Sequence, residues 1–374
     1  MAEKTRVLIL LANLSGGGAE RTVARVLSAL DRERFEPRLG LLWNKGPFVD
    51  AVRSNEIMTP QDFPPQEDSS LLRLAVGAPR AHLRFLDEFR PHVVMSLTAS
   101  MNLSAGIALA LRKKPCGWVL REGNNTWRMI RDDHPQALVA WARKTLTGLL
   151  YRRADKVLAI SEGLGRGLTH YFGVSPSRIQ VIPNPVDLPS QRLERRPPEG
   201  HPHFLAIGRL EYQKGFDVLL EALAQMEDKT ARLTILGEGK QEEALRRQAE
   251  ELGLAERVSF PGFVKDLTEY FARSTAFVLS SRWEGFGCVV VEAMAAGLPV
   301  VVTDCDYGPP EIVTHRVNGL VVPTQDSNGL ARALTEVSEP ALAARLSAAG
   351  LLRAEDFRID VIARRYEALW ESVI

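Results

Sequence analysis

Glu284 and Glu292 are the residues from which the chemistry of this sequence is best read. They stand eight apart in Ser280-Ser281-Arg282-Trp283-Glu284-Gly285-Phe286-Gly287-Cys288-Val289-Val290-Val291-Glu292-Ala293-Met294. A carboxylate can accept from two neighbouring hydroxyls at once, which suits it to the diols of a sugar or a ribose. The pattern predicts a strand over 276–280, Glu284 on the loop after it, and Glu292 one to two turns into the next helix. So placed, the two carboxylates can face one pocket. Glu292 stands within an apolar stretch, where an unpaired carboxylate is costly, and this favours a hydrogen-bonded role over a solvated helix face. The N–H groups around Gly287, Cys288 and Val289 open that helix and suit a phosphate.

Two other stretches could serve an anion. In Gly208-Arg209-Leu210-Glu211-Tyr212-Gln213-Lys214-Gly215 a guanidinium and an ammonium stand five residues apart just after an expected strand. Arg209 by its fork and Lys214 as a point charge can clamp a diphosphate, although solvated surface is the usual fate of both types. In Ser15-Gly16-Gly17-Gly18-Ala19-Glu20-Arg21 the glycines follow the first strand and open the first helix. Arg21 replaces the third glycine of a dinucleotide fingerprint, and no Gly-Lys-Ser/Thr ending marks a Walker loop. A tight turn without ligand accounts for this loop equally well. Gly237 ends a further strand, and the backbone around Val264 is suited to a nucleobase.

The elements that must position these residues alternate along the chain. Short β-rich runs at 6–11, 93–97, 156–160, 204–207, 232–236, 276–280 and 299–303 are separated by helical patterns, the first at 20–30. Continuous apolar strands between helices indicate parallel sheets covered on both faces. The expected architecture is α/β: two doubly wound, Rossmann-like domains facing a central cleft at the carboxyl ends of their strands. Proline and charge concentrate over 182–202, so the domains are set at 1–185 and 203–356 with a linker at 186–202. The uncharged run 93–111, interrupted by serines, threonine and asparagine, fits a strand and a capped helix better than a membrane span.

Composition narrows the class. The 374 residues carry 47 basic and 46 acidic side chains with 45% hydrophobic residues, which excludes disorder and, as an average, argues against a dedicated DNA binder. The neutrality hides an asymmetry, since residues 1–187 hold 26 basic and 18 acidic side chains and the remainder 21 and 28. Cys116, Cys288 and Cys305 are widely spaced and odd in number, which fits a reduced, cytoplasmic chain.

Together the motifs resemble the retaining glycosyltransferases of family 4, which have the GT-B fold. The matching residues are GGGAER, GRLEYQKGFDVLLEA from Gly208, LGEG from Leu236, FPGFVKDL from Phe260, EGFGCVVVE from Glu284, AMAAGLPVV, and GPPEIV with NGLVV. The resemblance implies an enzyme, a metal-independent hexosyltransferase. It would move a hexose or N-acetylhexosamine from a nucleotide sugar, UDP-linked by family frequency, to a membrane-associated glycolipid or polysaccharide precursor. Arg209 and Lys214 match the residues that hold the diphosphate, Glu292 the ribose ligand, and Glu284 the contact to donor-sugar hydroxyls. The backbone of Gly285, Phe286, Gly287 and Cys288 adds donor contacts, as do Gly17 and Gly18 of the acceptor domain. The last helix, 357–374, is expected to pack back on the first domain. No cofactor beyond the nucleotide-sugar co-substrate is implied. Asp304-Cys305-Asp306 has the letters of a metal motif but stands in the family's own loop.

One departure stands out. Many relatives carry a histidine after a strand of the first domain, and the comparable segment here, Leu120-Arg121-Glu122-Gly123-Asn124-Asn125, has none. Arg121, Glu122 and Asn124 are the residues offered in its place on the acceptor side, and His134 is the nearest histidine. The basic first half and the segment 136–153, with Leu138, Val139, Trp141, Leu146, Leu149 and Leu150 beside Arg143, Lys144, Arg152 and Arg153, fit either an interfacial helix drawn to anionic lipid or an ordinary amphipathic helix. The expected partners are therefore a nucleotide-sugar donor, a glycan or lipid-linked acceptor and an anionic membrane surface, the inner face of the cell membrane, with no nucleic acid. Two other readings stay open: a catalytically silent nucleotide-sugar-binding subunit, and a GT-B-fold sugar-nucleotide epimerase.

Overall fold

The computed structural model describes residues 3–15, 17–61, 63–64, 71–112, 116–133, 137–189, 192–198 and 200–374. Gly16, His134 and Gln136, named above, lie outside the described residues. The chain divides into two units, Met1–Pro185 together with Ile359–Ile374, and Val186–Arg358. The stretch 186–202 falls within the second unit.

The first unit is built on seven strands: β1 Thr5–Leu11, β2 Phe35–Leu41, β3 Ile57–Met58, β4 Val93–Leu97, β5 Gly117–Glu122, β6 Lys156–Ala159 and β7 Ile179–Val181. Their order is β3-β2-β1-β4-β5-β6-β7, with every pair parallel. Val7 to Leu11 are fully buried, as a central strand covered on both faces requires. Strand β2 contains Pro37 and Arg38, which mask it in the sequence. It is tolerated because β3 pairs with it only at Leu39 and Gly40, leaving the Pro37 side of that ladder unpaired.

Strand β4 leads into the helix Ala99–Leu111, so the uncharged run forms a strand and a helix. The capped start expected there is not observed. Thr98 stands at the cap position with φ +72° and makes no side-chain cap bond. The last helix, Ile359–Glu371, buries Ile362, Tyr366, Leu369 and Trp370 in this unit. Trp370 meets Phe35 edge-on at 5.8 Å, and the Glu367 carboxylate accepts from the Asp31 N–H at 2.9 Å.

The second unit repeats the plan with β8 His203–Ile207, β9 Arg232–Leu236, β10 Val258–Gly262, β11 Ala276–Leu279, β12 Val300–Thr303 and β13 Leu320–Val322. These parallel strands run β10-β9-β8-β11-β12-β13. In both sheets the chain starts near the middle, winds outward, and returns to the other side of its first strand. The reversal, between β1 and β4 and again between β8 and β11, opens a crevice at the carboxyl ends of those strands, where open α/β sheets bind ligands. Among the described residues no helix is long and apolar enough to cross a membrane.

Candidate active site

The loops leaving β8 and β11 meet at the reversal of the second sheet. The Lys214 ammonium reaches the Glu284 carboxylate at 2.5 Å, and the fully buried Ser281 hydroxyl donates to the same Oε1 at 2.8 Å. Both charged side chains are largely buried, so their attraction is weakly screened. Glycine makes room for the pair. A Cβ on Gly208 would stand 3.0 Å from Lys214 Cε, so the lysine stem lies against the bare backbone. Gly215 has φ +62°, and a Cβ there would overlap the Ser280 carbonyl oxygen.

The two loops are also joined by hydrogen bonds. Arg282 N–H donates to the Gln213 carbonyl at 2.8 Å, Gln213 Nε2 to the Trp283 carbonyl at 2.9 Å, and Ser280 Oγ to the Lys214 carbonyl at 2.9 Å. Arg282 forms a forked pair with Asp217 at 2.8 and 2.6 Å and stacks on Tyr212 at 3.9 Å. These contacts hold Lys214 and Glu284 in register. Arg209, on the same loop as Lys214, is exposed, and its guanidinium has no hydrogen bond or ion pair among the described residues.

Beyond Glu284 the chain turns through Gly285, buried Phe286 and Gly287, whose φ of +92° starts the helix Cys288–Ala295. Gly287 at the cap position brings no side-chain oxygen, and the positive end of the helix dipole lies at this turn. Glu292 and Val289 on this helix are half-buried. The loop after β12 closes over the turn: Glu284 N–H donates to the Asp306 carbonyl at 3.3 Å, and Gly308 lies so close that a Cβ would overlap the Phe286 carbonyl. Burial, and after it the charge of Glu284, pushes the Cys305 thiol up to about 12, so it stays protonated at neutral pH and is no nucleophile.

The β9 and β10 loops approach through glycines as well. Gly208 N–H donates to the Leu236 carbonyl and Gly237 N–H to the Gly262 carbonyl, at 2.9 and 2.8 Å. Gly237 has φ +135°, and a side chain on it would overlap the Gly208 carbonyl. Val264 follows as a half-buried residue. The structure thus brings Lys214 and Glu284 into contact and gathers Arg209, Gly237, Val264, Val289 and Glu292 on loops and a helix start at the carboxyl edge of one sheet. Sequence reading missed Ser281, which the burial of its hydroxyl against Glu284 makes evident.

In the first unit Gly17 caps the helix Gly18–Ala29, and the Glu20 carboxylate folds back against Gly17. Gly18 faces open space. The residues offered on the acceptor side separate. Arg121 is 2% exposed and bonds to Tyr366 Oη at 3.0 Å and Asn184 Oδ1 at 2.5 Å, tying β5 to the last helix. Glu122, also 2% exposed, accepts from the Tyr151 hydroxyl at 2.6 Å and from Gly123 N–H at 3.1 Å. Burial pushes its pKa above the ordinary carboxylate range, against the pull of these hydrogen bonds. The described polar contacts of Arg121 and Glu122 thus run to the interior of the unit, and Asn124 is the exposed member of the three.

Two doubly wound parallel sheets, each with its crevice at the strand reversal, make this a GT-B fold. A family model described as Glycosyltransferase Family 4 matches residues 16–189, and one described as Glycosyl transferases group 1 matches residues 189–351. The chain belongs to glycosyltransferase family 4. It is 29% identical over 335 residues, 88% of this chain and 89% of the relative, to the Campylobacter jejuni N-acetylgalactosamine-N,N'-diacetylbacillosaminyl-diphospho-undecaprenol 4-alpha-N-acetylgalactosaminyltransferase. Among solved structures it is similar to the lipopolysaccharide outer core galactosyltransferase WaaB in its apo form, with TM-score 0.79 and 22% identity over 99% of this chain and 100% of that one. Anabaena HepE in complex with UDP has TM-score 0.77 and 22% identity over 99% and 100%.

Proposed function

We propose that this glycosyltransferase moves a hexose or N-acetylhexosamine from a UDP-linked donor to a membrane-borne glycolipid or polysaccharide precursor, with retention of configuration and without a metal ion. The observation that carries the donor side is the Lys214–Glu284 pair at the strand reversal, with exposed Arg209 on the same loop. Negative charge grows on the departing diphosphate as the sugar becomes oxocarbenium-like. In this reading Arg209, Lys214 and the helix dipole at Cys288 stabilise that charge, which is the task a metal would otherwise perform. In this reading Glu284 accepts from donor-sugar hydroxyls, Glu292 accepts from the ribose, and backbone around Val264 meets the base.

The sugar C1–phosphate oxygen bond breaks while the acceptor oxygen bonds to C1 from the same face. The acceptor proton passes to a leaving phosphate oxygen, so no separate general base is needed. UDP in the HepE complex supports the choice of nucleotide. The diphospho-undecaprenol in the name of the C. jejuni relative supports a lipid-linked acceptor. Incubating the chain and a chelator with UDP-sugars and polyprenyl-diphosphate glycans, then reading the anomeric coupling of the product by NMR, tests each part. An α-configured product from an α-linked donor is expected, and a β-configured product or a strict metal requirement would overturn the mechanism.

A further inference from the structure

The helix Ala137–Tyr151 of the first unit is apolar on the wrong side for an ordinary surface helix. Its inner face is already used. Ala140, Thr147, Gly148 and Tyr151 are buried, Gly148 so closely that a Cβ would stand 2.9 Å from the Phe172 carbonyl, and Tyr151 is held by Glu122. The outer face carries Leu138 (77% exposed), Trp141 (62%), Leu146 and Leu149. These recur at i, i+3, i+8 and i+11, a single stripe along the helix. Of the fourteen exposed large hydrophobic residues among those described, five fall on this one helix of fifteen, whereas single exposed apolar residues would be scattered.

Along the helix itself the charge has one sign. Residues 134–154 contain no aspartate or glutamate and four cations, Arg143, Lys144, Arg152 and Arg153. Lys144 is drawn inward over Trp127 at 4.9 Å, and the three arginines are exposed. A helix this short, with cations along it, does not span a bilayer. An apolar stripe with tryptophan, flanked by arginines, suits one that lies in the headgroup layer.

We propose that the outer face of Ala137–Tyr151 docks this protein on an anionic phospholipid bilayer, with Leu138, Trp141, Leu146 and Leu149 inserted and Arg143, Arg152 and Arg153 among the headgroups. The choice of a bilayer as occupant rests on the membrane-borne acceptor proposed above. Docking is read without substrate, so a failure to dock and a failure to transfer are separate results.

The test is flotation of the full chain with phosphatidylcholine vesicles, with and without phosphatidylglycerol. Binding to the anionic vesicles that weakens with salt is expected. The double variant Trp141→Ser/Leu149→Ser, confirmed as folded by its thermal melt, should lose at least about tenfold in partition, while Leu352→Ser on the second unit keeps it. Absence of anionic-vesicle binding, or binding that survives the double substitution, overturns the proposal. So does a concentration-dependent dimer that the double variant dissociates, which would assign the face to a second copy of the chain. Should the double variant fail to fold, Arg143→Ser/Arg153→Ser replaces it: a lost preference for phosphatidylglycerol supports the proposal, and an unchanged one overturns it.

Discussion

The Lys214 ammonium meets the Glu284 carboxylate at 2.5 Å across 70 residues of sequence, because β8 and β11 are neighbours where the strand order reverses. The lysine thus stands ready beside a group proposed to touch the donor sugar, and its charge matters most when the diphosphate leaves. Lys214→Ala should lower kcat by about 100- to 1,000-fold while changing the affinity for the intact UDP-sugar far less, since interactions that strengthen as the diphosphate leaves act on turnover. Steady-state kinetics with calorimetric titration of the UDP-sugar in the absence of acceptor separate the two quantities. A large loss of UDP-sugar affinity at unchanged kcat would assign Lys214 to ground-state binding.

Glu292 should behave in the opposite way. Removing a carboxylate that accepts from ribose hydroxyls takes away charge-assisted hydrogen bonds of about 1.5–3 kcal/mol. Glu292→Ala is therefore expected to weaken UDP binding by roughly 10- to 100-fold, with kcat at saturating donor largely kept. Equal UDP affinity in wild type and variant would remove Glu292 from the nucleotide site.

Gly215 joins the lysine loop to the β11 loop. Its φ of +62° and the adjacent Ser280 carbonyl leave no place for a Cβ. Gly215→Ala should destabilise the chain by about 2–4 kcal/mol and lower kcat along with stability, because Lys214 is the preceding residue. Urea unfolding gives the first number and kinetics the second. A variant as stable as wild type would show that the backbone relaxes there at little cost.

These effects differ in how far the sequence reveals them. Central strands such as Val93–Leu97 and Arg232–Leu236 are visible as bounded apolar runs, because burial on both faces demands continuous hydrophobicity. Phe35–Leu41 is not, since Pro37 and Arg38 interrupt a run that needs full pairing on one side only. The residue types of the donor site are legible from their position after strands. That Lys214 touches Glu284, and that Ser281 supports it, follows from strand order, which no local pattern encodes. Arg121 and Glu122 show the converse: polar residues at the end of a strand read alike whether they line a pocket or bond inward to Tyr366 and Tyr151.

His82 gives a pH signature to the first unit. Its ring is buried, with Nδ1 3.0 Å from Ser104 Oγ, and burial lowers its pKa from 6.5 to about 4. The folded state keeps this histidine neutral while the unfolded chain protonates it below 6.5. Stability is therefore complete above that value and is lost as pH falls toward 4, by about 3 kcal/mol. In His82→Gln this loss is absent, so the stability difference between wild type and variant should shrink by that amount between pH 7 and pH 4. Parallel curves over that range would mean that His82 titrates normally in the folded chain.

Transfer from a nucleotide sugar at the Lys214–Glu284 site releases one nucleoside diphosphate per sugar moved, and that release can be counted. Purified chain is mixed with a panel of UDP- and GDP-sugars, with and without polyprenyl-diphosphate-linked glycans. Acceptor-dependent UDP release by the wild type is expected to match the glycosylated product one to one and to fall at least about 100-fold in Lys214→Ala. Donor that binds but stays intact with every acceptor would contradict it and identify a silent binding subunit, while a changed sugar nucleotide with no release would identify an epimerase.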